Sequence, residues 1–300
     1  MRKFTTIGLG ELLWDILPDG RQLGGAPANF AYMTSLLGDE GVVASRVGSD
    51  ELGFETRRRL ERLGLSTSCI QTDPTYRTGV AQVELDAKGQ PAFQIAEPVA
   101  WDFLEWTTVW QALAQKADAV CFGSLAQRSP KSRQTIHSFL KTVRPQTTRI
   151  FDVNLRQSFY TAEILADSAK QADIIKLNRD ELPRVVQLLG FPFQDEESAS
   201  QWILHTFRAK LVCVTRGGEG SLLVSEHGKH EHSGIRVQVA DTVGAGDAFT
   251  AALVYHFVRG GSLATMNEAA NRMGSWVASQ AGATPSRDEA RLQEIRSSEV

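Results

Sequence analysis

The chain is predicted to be an α/β protein, with a mostly parallel central sheet flanked by helices on both faces and a small β lid. Three observations predict this. Strand-length apolar runs alternate with helix-length amphipathic runs along nearly all of the 300 residues. The strand runs are close to continuously hydrophobic, as strands covered on both faces are. Two short stretches break the alternation with hairpin chemistry.

The elements follow in order. Met1-Arg2-Lys3-Phe4 runs straight into a strand expected at residues 5–8. Residues 16–23 make a short β excursion that turns at Pro18-Asp19-Gly20, and Gly24-Gly25-Ala26-Pro27-Ala28-Asn29 then leads into a helix. Residues 41–47 read as a buried strand. Residues 52–63 read as an amphipathic helix, with Leu52, Phe54, Leu60 and Leu63 in helical periodicity and Arg57-Arg58-Arg59 as its solvated face. Residues 78–85 and 91–95 form two strands joined by the hairpin turn Asp86-Ala87-Lys88-Gly89. This hairpin and the earlier excursion, about 12–24 and 76–98, constitute the expected lid. Further buried strands are expected at 119–122, 149–153, 174–177 and 211–215, and a buried helix over 248–258. No repeat, low-complexity tract or linker interrupts residues 1–300, so a single domain with a lid is expected.

Composition narrows the function. At 42% hydrophobic residues the chain can bury one large core or two modest ones. A net charge of −3 gives no reason to expect nucleic acid or an anionic membrane surface as a partner. The cysteines, Cys69, Cys121 and Cys213, lack metal or redox spacing and read as buried free thiols in a reducing compartment. No signal-peptide apolar region and no run near the ~20 apolar residues of a membrane span is present. A soluble cytoplasmic protein is expected.

The most informative residues are Asp241-Thr242-Val243-Gly244-Ala245-Gly246-Asp247-Ala248-Phe249. Two acids bracket a Gly-Ala-Gly turn at the start of an apolar helix. Unpaired N–H groups and the positive end of the helix dipole make such a terminus an anion site. An acid in a first turn is ordinarily a cap or dipole partner. A cap, however, does not need a main chain stripped of side chains, whereas a phosphoryl group beside a carboxylate base does. Asp247 is therefore the candidate general base. The N–H groups of Ala245, Gly246 and Asp247, following Gly244, are the candidate anion hole.

These runs, with Gly10-Glu11-Leu12-Leu13-Trp14-Asp15, Asp152-Val153-Asn154-Leu155-Arg156, Asn178-Arg179-Asp180-Glu181, Thr215-Arg216-Gly217-Gly218-Glu219-Gly220 and Ala281-Gly282-Ala283-Thr284-Pro285-Ser286, resemble the ribokinase-like (PfkB-type) carbohydrate kinases, most closely a fructokinase. The resemblance runs in family order over roughly residues 3–286. The Gly-Gly-Ala-Pro-Ala-Asn and Gly-Ala-Gly-Asp runs are its specific parts.

The resemblance implies transfer of the γ-phosphate of ATP to a primary hydroxyl of a small sugar. Fructose is favoured, with 2-keto-3-deoxygluconate, another ketose or a nucleoside as alternatives. A catalytically silent sugar or nucleotide sensor is the alternative of another class. It further implies Arg156 as a fixed cation at the phosphates. Asp15, Gly25, Asn29 and Trp14 would be sugar contacts, with Asn29 facing Asp15 across the pocket. Asn178 and Glu181 would support Mg2+ and phosphate, largely through water, although their spacing fits a capping box equally well. Thr215, Gly217, Gly220 and Asn271 would line the nucleotide pocket, and Asp241, Val243 and Ala281 would hold a monovalent cation such as K+. A sugar phosphate is disfavoured because the hairpin carries only Lys88. His227, His230 and His232 flank an exposed hairpin turn and read as loop residues, not metal ligands. An exposed lid edge could pair two copies of the chain.

Overall fold

The computed structural model describes residues 2–17, 20–85 and 91–298. Among them are thirteen strands and ten α-helices. The strands are β1 (Thr5–Leu9), β2 (Leu13–Leu17), β3 (Gly20–Gly24), β4 (Glu40–Gly48), β5 (Ile70–Asp73), β6 (Gly79–Leu85), β7 (Pro91–Ile95), β8 (Ala119–Phe122), β9 (Thr148–Asp152), β10 (Ile174–Asn178), β11 (Leu211–Thr215), β12 (Ser221–Ser225) and β13 (Gly228–His232). The helices are α1 (Ala26–Leu36), α2 (Glu51–Arg62), α3 (Thr108–Lys116), α4 (Pro130–Thr142), α5 (Ala162–Ala169), α6 (Glu181–Leu188), α7 (Glu196–Phe207), α8 (Ala245–Phe257), α9 (Leu263–Ala278) and α10 (Glu289–Arg296).

Nine strands form one sheet in the order β13-β12-β11-β10-β9-β8-β1-β4-β5. It is parallel from β11 through β5, and antiparallel only at β11–β12 and β12–β13. Strand side chains alternate between its two faces. Ala119 and Cys121, Ile150, Ile174, and Leu211 and Cys213 enter one core with residues of α1, α8, α9 and α10. Val120 and Phe122, Phe151, Ile175 and Leu177, and Val212 and Val214 enter the other, with residues of α3 through α7. Burial on both faces explains the uninterrupted apolar runs, and each expected central strand lies where the sequence places it.

The two β excursions join in a second, four-stranded sheet, β3-β2-β6-β7, in which β2 and β6 run parallel. Of the expected turns, Pro18-Asp19 and Asp86-Ala87-Lys88-Gly89 lie outside the described residues, and Lys88 with them.

Two local expectations need correction. Phe54 is 59% exposed, and the buried face of α2 is instead Gly53, Thr56 and Leu60. Arg57 is not simply solvated: its guanidinium donates to the carbonyls of Thr67 and Ile70 and to Thr72 Oγ1, tying α2 to β5. That strand, Ile-Gln-Thr-Asp at the sheet edge, is too short and polar to be read from periodicity.

Candidate functional site

Asp247 stands in the first turn of α8. The helix starts at Gly244, whose φ of 77° is left-handed and whose missing side chain leaves room for Ala283, 2.6 Å from where a Cβ would sit. The Asp247 carboxylate is half-buried and accepts a 2.8 Å bond from Asn29 Nδ2. Burial, then the charge of Asp152, pushes its pKa up to about 6; Asn29, Lys176 and Arg156 pull the other way. It thus titrates near neutrality, as suits a general base.

Asn29 itself is 4% exposed, on a helix brought close by a second glycine. Gly25 precedes α1 with φ 115°, and a Cβ there would lie 2.6 Å from the Glu11 carbonyl oxygen. The Gly-Gly-Ala-Pro-Ala-Asn run therefore sets α1 against the β1–β2 connection and aims Asn29 at Asp247. In this structure the Asn29 amide donates to Asp247. Asp15 is half-buried on β2, and burial raises its pKa against the charge of Arg156.

Trp14 as a sugar platform is also corrected. The indole is 3% exposed and its N–H donates to Thr56 Oγ1 at 2.9 Å, with the Leu52 carbonyl at 3.3 Å. Neighbouring residues of a strand point to opposite faces, so Trp14 packs on α2 while Asp15 faces away from it.

Under the Gly-Ala-Gly turn lies a buried ion pair that sequence reasoning left unassigned. Lys176 Nζ sits 3.1 and 3.0 Å from the two Asp152 oxygens. Thr250 Oγ1 lies 3.1 Å from Asp152 Oδ2 and 2.9 Å from the Gly246 carbonyl. Lys176 is 7% and Asp152 4% exposed. Burial opposes the ammonium's charge, but Asp152, Glu181 and Asp247 outweigh it and hold the pKa well above the usual lysine range. A Cβ on Gly246 would lie 3.1 Å from that ammonium. Gly246 thus serves space more than conformation, letting a cation come up beside the Gly-Ala-Gly turn. The signal was a lysine inside the apolar strand Ile-Ile-Lys-Leu.

Arg156 is exposed, and its charge is felt by Asp247, Asp15 and Glu11. The positive φ of Asn154 (43°) and Gln157 (49°) shapes the loop that carries it. Glu181 braces that loop: Oε1 accepts from Leu155 N at 2.7 Å, and Oε2 from Asn178 N at 2.9 Å. Asn178 Oδ1 in return accepts from Glu181 N at 2.8 Å. The two bonds have the reciprocal pattern of a capping box, set ahead of α6, whose own N-cap is Asp180. Each Glu181 oxygen thus accepts one main-chain N–H, and the expected Mg2+ role of Glu181 remains the water-mediated one. No cluster of three His, Cys, Asp or Glu able to hold a metal occurs among the described residues. A Mg2+ held mainly by phosphates and water fits this donor set, and an all-protein cage does not.

On the nucleotide side, Thr215 ends β11 with Oγ1 3.4 Å from the Leu177 carbonyl, and Gly217 opens to free space. Gly220 is explained by packing, since a Cβ there would lie 1.9 Å from the His232 carbonyl oxygen. Asn271 as an adenine contact is corrected: its Nδ2 is committed to Ser221 Oγ and to Asn267 in a buried network. His230 joins that network and His232 bonds Glu268, so these histidines stabilise an edge of the sheet. Asp241 accepts from Val243 N through Oδ1 and from Gly282 N through Oδ2, fastening the 241–244 and 281–283 segments together. Val243 is 46% exposed, and Ala281, next to Gly282, is exposed as well.

An acid at a glycine-lined helix start, with one buried and one exposed cation around it at the end of a doubly covered parallel sheet, is the arrangement of a phosphotransferase of the ribokinase-like fold. The chain belongs to the pfkB family of carbohydrate kinases, whose family model matches residues 20–290. It is 29% identical to the sugar kinase PH1459 of Pyrococcus horikoshii over 94% of this chain and 93% of that one. The crystal structure of that protein superposes with a TM-score of 0.84, covering 99% of this chain and all of the other. A fructokinase of Salmonella typhimurium is 31% identical over 82% of each chain. Fructokinase of Vibrio cholerae O395, solved as a double mutant with fructose, ADP and potassium ion, is 25% identical with a TM-score of 0.82 over 98% of each chain. No helix among the described residues is long and apolar enough to cross a membrane.

Proposed function

We propose that the protein is an ATP-dependent kinase of free fructose, transferring the γ-phosphate to a primary hydroxyl. The observation that carries this reading is Asp247, a carboxylate of pKa about 6 held by Asn29 at the glycine-lined N-terminus of α8. Asp247 takes the proton of the sugar hydroxyl as that oxygen bonds the γ-phosphorus. The bond from the γ-phosphorus to its bridging oxygen breaks, and ADP leaves. The N–H groups of Ala245, Gly246 and Asp247, with Lys176 beneath and Arg156 opposite, would stabilise the charge on the moving phosphoryl group. Asp15 would bind sugar hydroxyls, and the β3-β2-β6-β7 sheet would close over them and exclude water.

Mg2+ would be held chiefly by ATP and water, with Asn178 and Glu181 organising the nearby main chain. K+ would sit against main-chain oxygens of the 241–243 and 281–283 segments. Fructose is supported by the fructokinases among the relatives and by the Gly-Glu-Leu-Leu-Trp-Asp and Asp-Val-Asn-Leu-Arg runs. The test is ADP release with MgATP across a panel of fructose, other ketoses, 2-keto-3-deoxygluconate and nucleosides. Fructose should give the highest kcat/KM. A preference for another acceptor moves the substrate within the family, and no turnover with any of them leaves a non-catalytic sensor.

A further inference from the structure

The lid sheet meets the loop that carries Arg156 along its edge strand β7. Just past the end of that strand, the Ala96 N–H turns inward and donates to the Val80 carbonyl of β6 at 2.9 Å. Antiparallel pairing alternates, so the N–H of Ile95, one residue earlier, points out from the sheet. Gln157 Oε1 accepts it there at 3.2 Å. Gln157 adjoins Arg156 and holds a left-handed backbone conformation, φ 49°, uncommon for a residue with a side chain. A second link runs beside the first. Arg128, its side chain 4% exposed, grips Asp102 through two 2.8 Å bonds and donates to the Ala96 carbonyl at 2.6 Å. Its guanidinium lies 4.6 Å from the centre of the Phe159 ring. Phe159 N in turn bonds the Arg156 carbonyl at 3.0 Å and closes the loop.

Arg156 itself is held by little else. It is exposed, and among the described residues its guanidinium bonds only the Leu155 carbonyl, at 3.2 Å. Its position is therefore set by the main chain of its loop, which Glu181 of α6 braces from one side and Gln157 ties to the lid on the other. We propose that Gln157 is a positioning residue for phosphoryl transfer: by accepting from Ile95 it fastens the Arg156 loop to the lid sheet, so that the cation comes to the phosphates when the lid covers the acceptor. This rests on the kinase reading above. A cation on an independent loop would serve the phosphates equally with or without an acceptor, and so would favour transfer to water. One tied to the lid is in place when the lid has closed and water is excluded. In this arrangement Gln157 acts through Arg156 and not on the acceptor.

The experiment is a double-mutant cycle on kcat and KM with MgATP and whichever acceptor the wild type turns over fastest, using wild type, Gln157→Leu, Arg156→Ala and the double variant. Gln157→Leu keeps the bulk of the side chain and removes the acceptor for Ile95. Both residues are exposed, so all four proteins should fold, and thermal unfolding checks that they do. Gln157→Leu should lower kcat ~3- to 10-fold, the worth of one hydrogen bond, with the KM for ATP little changed. In the Arg156→Ala background the same substitution should change kcat less than ~2-fold, because the cation it positions is gone. A bond that merely stiffened the loop would cost the same in both backgrounds. Equal losses in the two backgrounds, a wild-type kcat in Gln157→Leu, or an Arg156→Ala enzyme as active as wild type would each overturn the proposal and leave the kinase assignment intact. A wild type that turns over no acceptor overturns the functional reading, and this proposal with it.

Discussion

In the proposed reaction Asp247 carries the proton transfer, and its neighbours set it apart from an ordinary helix cap. A cap is satisfied by its own helix; Asp247 instead receives Asn29 from a different helix, and burial and Asp152 hold its pKa up to about 6. Replacing it with asparagine keeps the shape and removes proton acceptance. Asp247→Asn should lower turnover by ~10²- to 10⁴-fold, with thermal stability and ATP binding close to wild type. Steady-state ADP release and titration with a non-hydrolysable ATP analogue check the two halves. Turnover above roughly a tenth of wild type would remove Asp247 from the role of base. Asp15 and Trp14 teach a related lesson about adjacent residues. The sequence places both near the sugar, but strand alternation gives Asp15 the open face and buries Trp14 against α2.

At the scale of elements, the site is made by two helix starts that face each other, α1 and α8, each preceded by glycines that admit main chain from elsewhere. Glycine runs in sequence announce such close approaches, which is why the runs that carry Asn29 and Asp247 stood out before the fold was known. The contribution from β9 and β10 was not, because Asp152 and Lys176 are ordinary charged residues until parallel pairing puts them side by side under α8. Asn178 and Glu181 were legible only as an ambiguity, and the reciprocal bonds supply its capping half.

The Lys176 arrangement predicts that Gly246→Ala leaves the fold intact, since alanine suits a helix. It should displace the ammonium, which would lie 3.1 Å from the new methyl. A loss in kcat on the order of 10- to 100-fold is expected, with sugar KM nearly unchanged; unaltered kcat would show that Lys176 does not serve the anion hole. The Asp241 bonds to Val243 and Gly282 predict a second effect. K+ should raise kcat over Na+ at equal ionic strength by bracing the loop before α8. Equal rates in K+, Na+ and a bulky organic cation would dispose of that role.

Across the whole molecule, stabilising features and functional ones separate onto different parts of the sheet. Its interior is two continuous apolar cores, legible as alternating runs, whereas the buried charges Glu11, Asp152, Lys176 and Glu181, with the half-buried Asp247, gather at the carboxyl ends of the parallel strands or just beyond them. Buried acids whose pKa is raised make the ligand-free fold depend on pH in a definite direction. Glu11 moves from an ordinary 4.5 to about 7 on folding. The folded state then binds more protons than the unfolded chain between those values, so this contribution is full below 4.5 and is lost as pH rises through about 7. Asp247 behaves alike in a lower window, from 3.8 to about 6. Other carboxylates, such as Asp50 and Glu268, have lowered pKa values and the opposite sign, so the wild-type curve alone does not isolate the effect. Differences between variants do. The Tm of Glu11→Gln minus that of wild type should climb between pH 5 and 7.5 and then level off, and the same difference for Asp247→Asn should climb mostly below pH 6.5. Thermal unfolding of the three proteins across that range measures both curves. A flat difference for Glu11→Gln would mean that Glu11 is ionised throughout that range in the folded protein as in the unfolded chain.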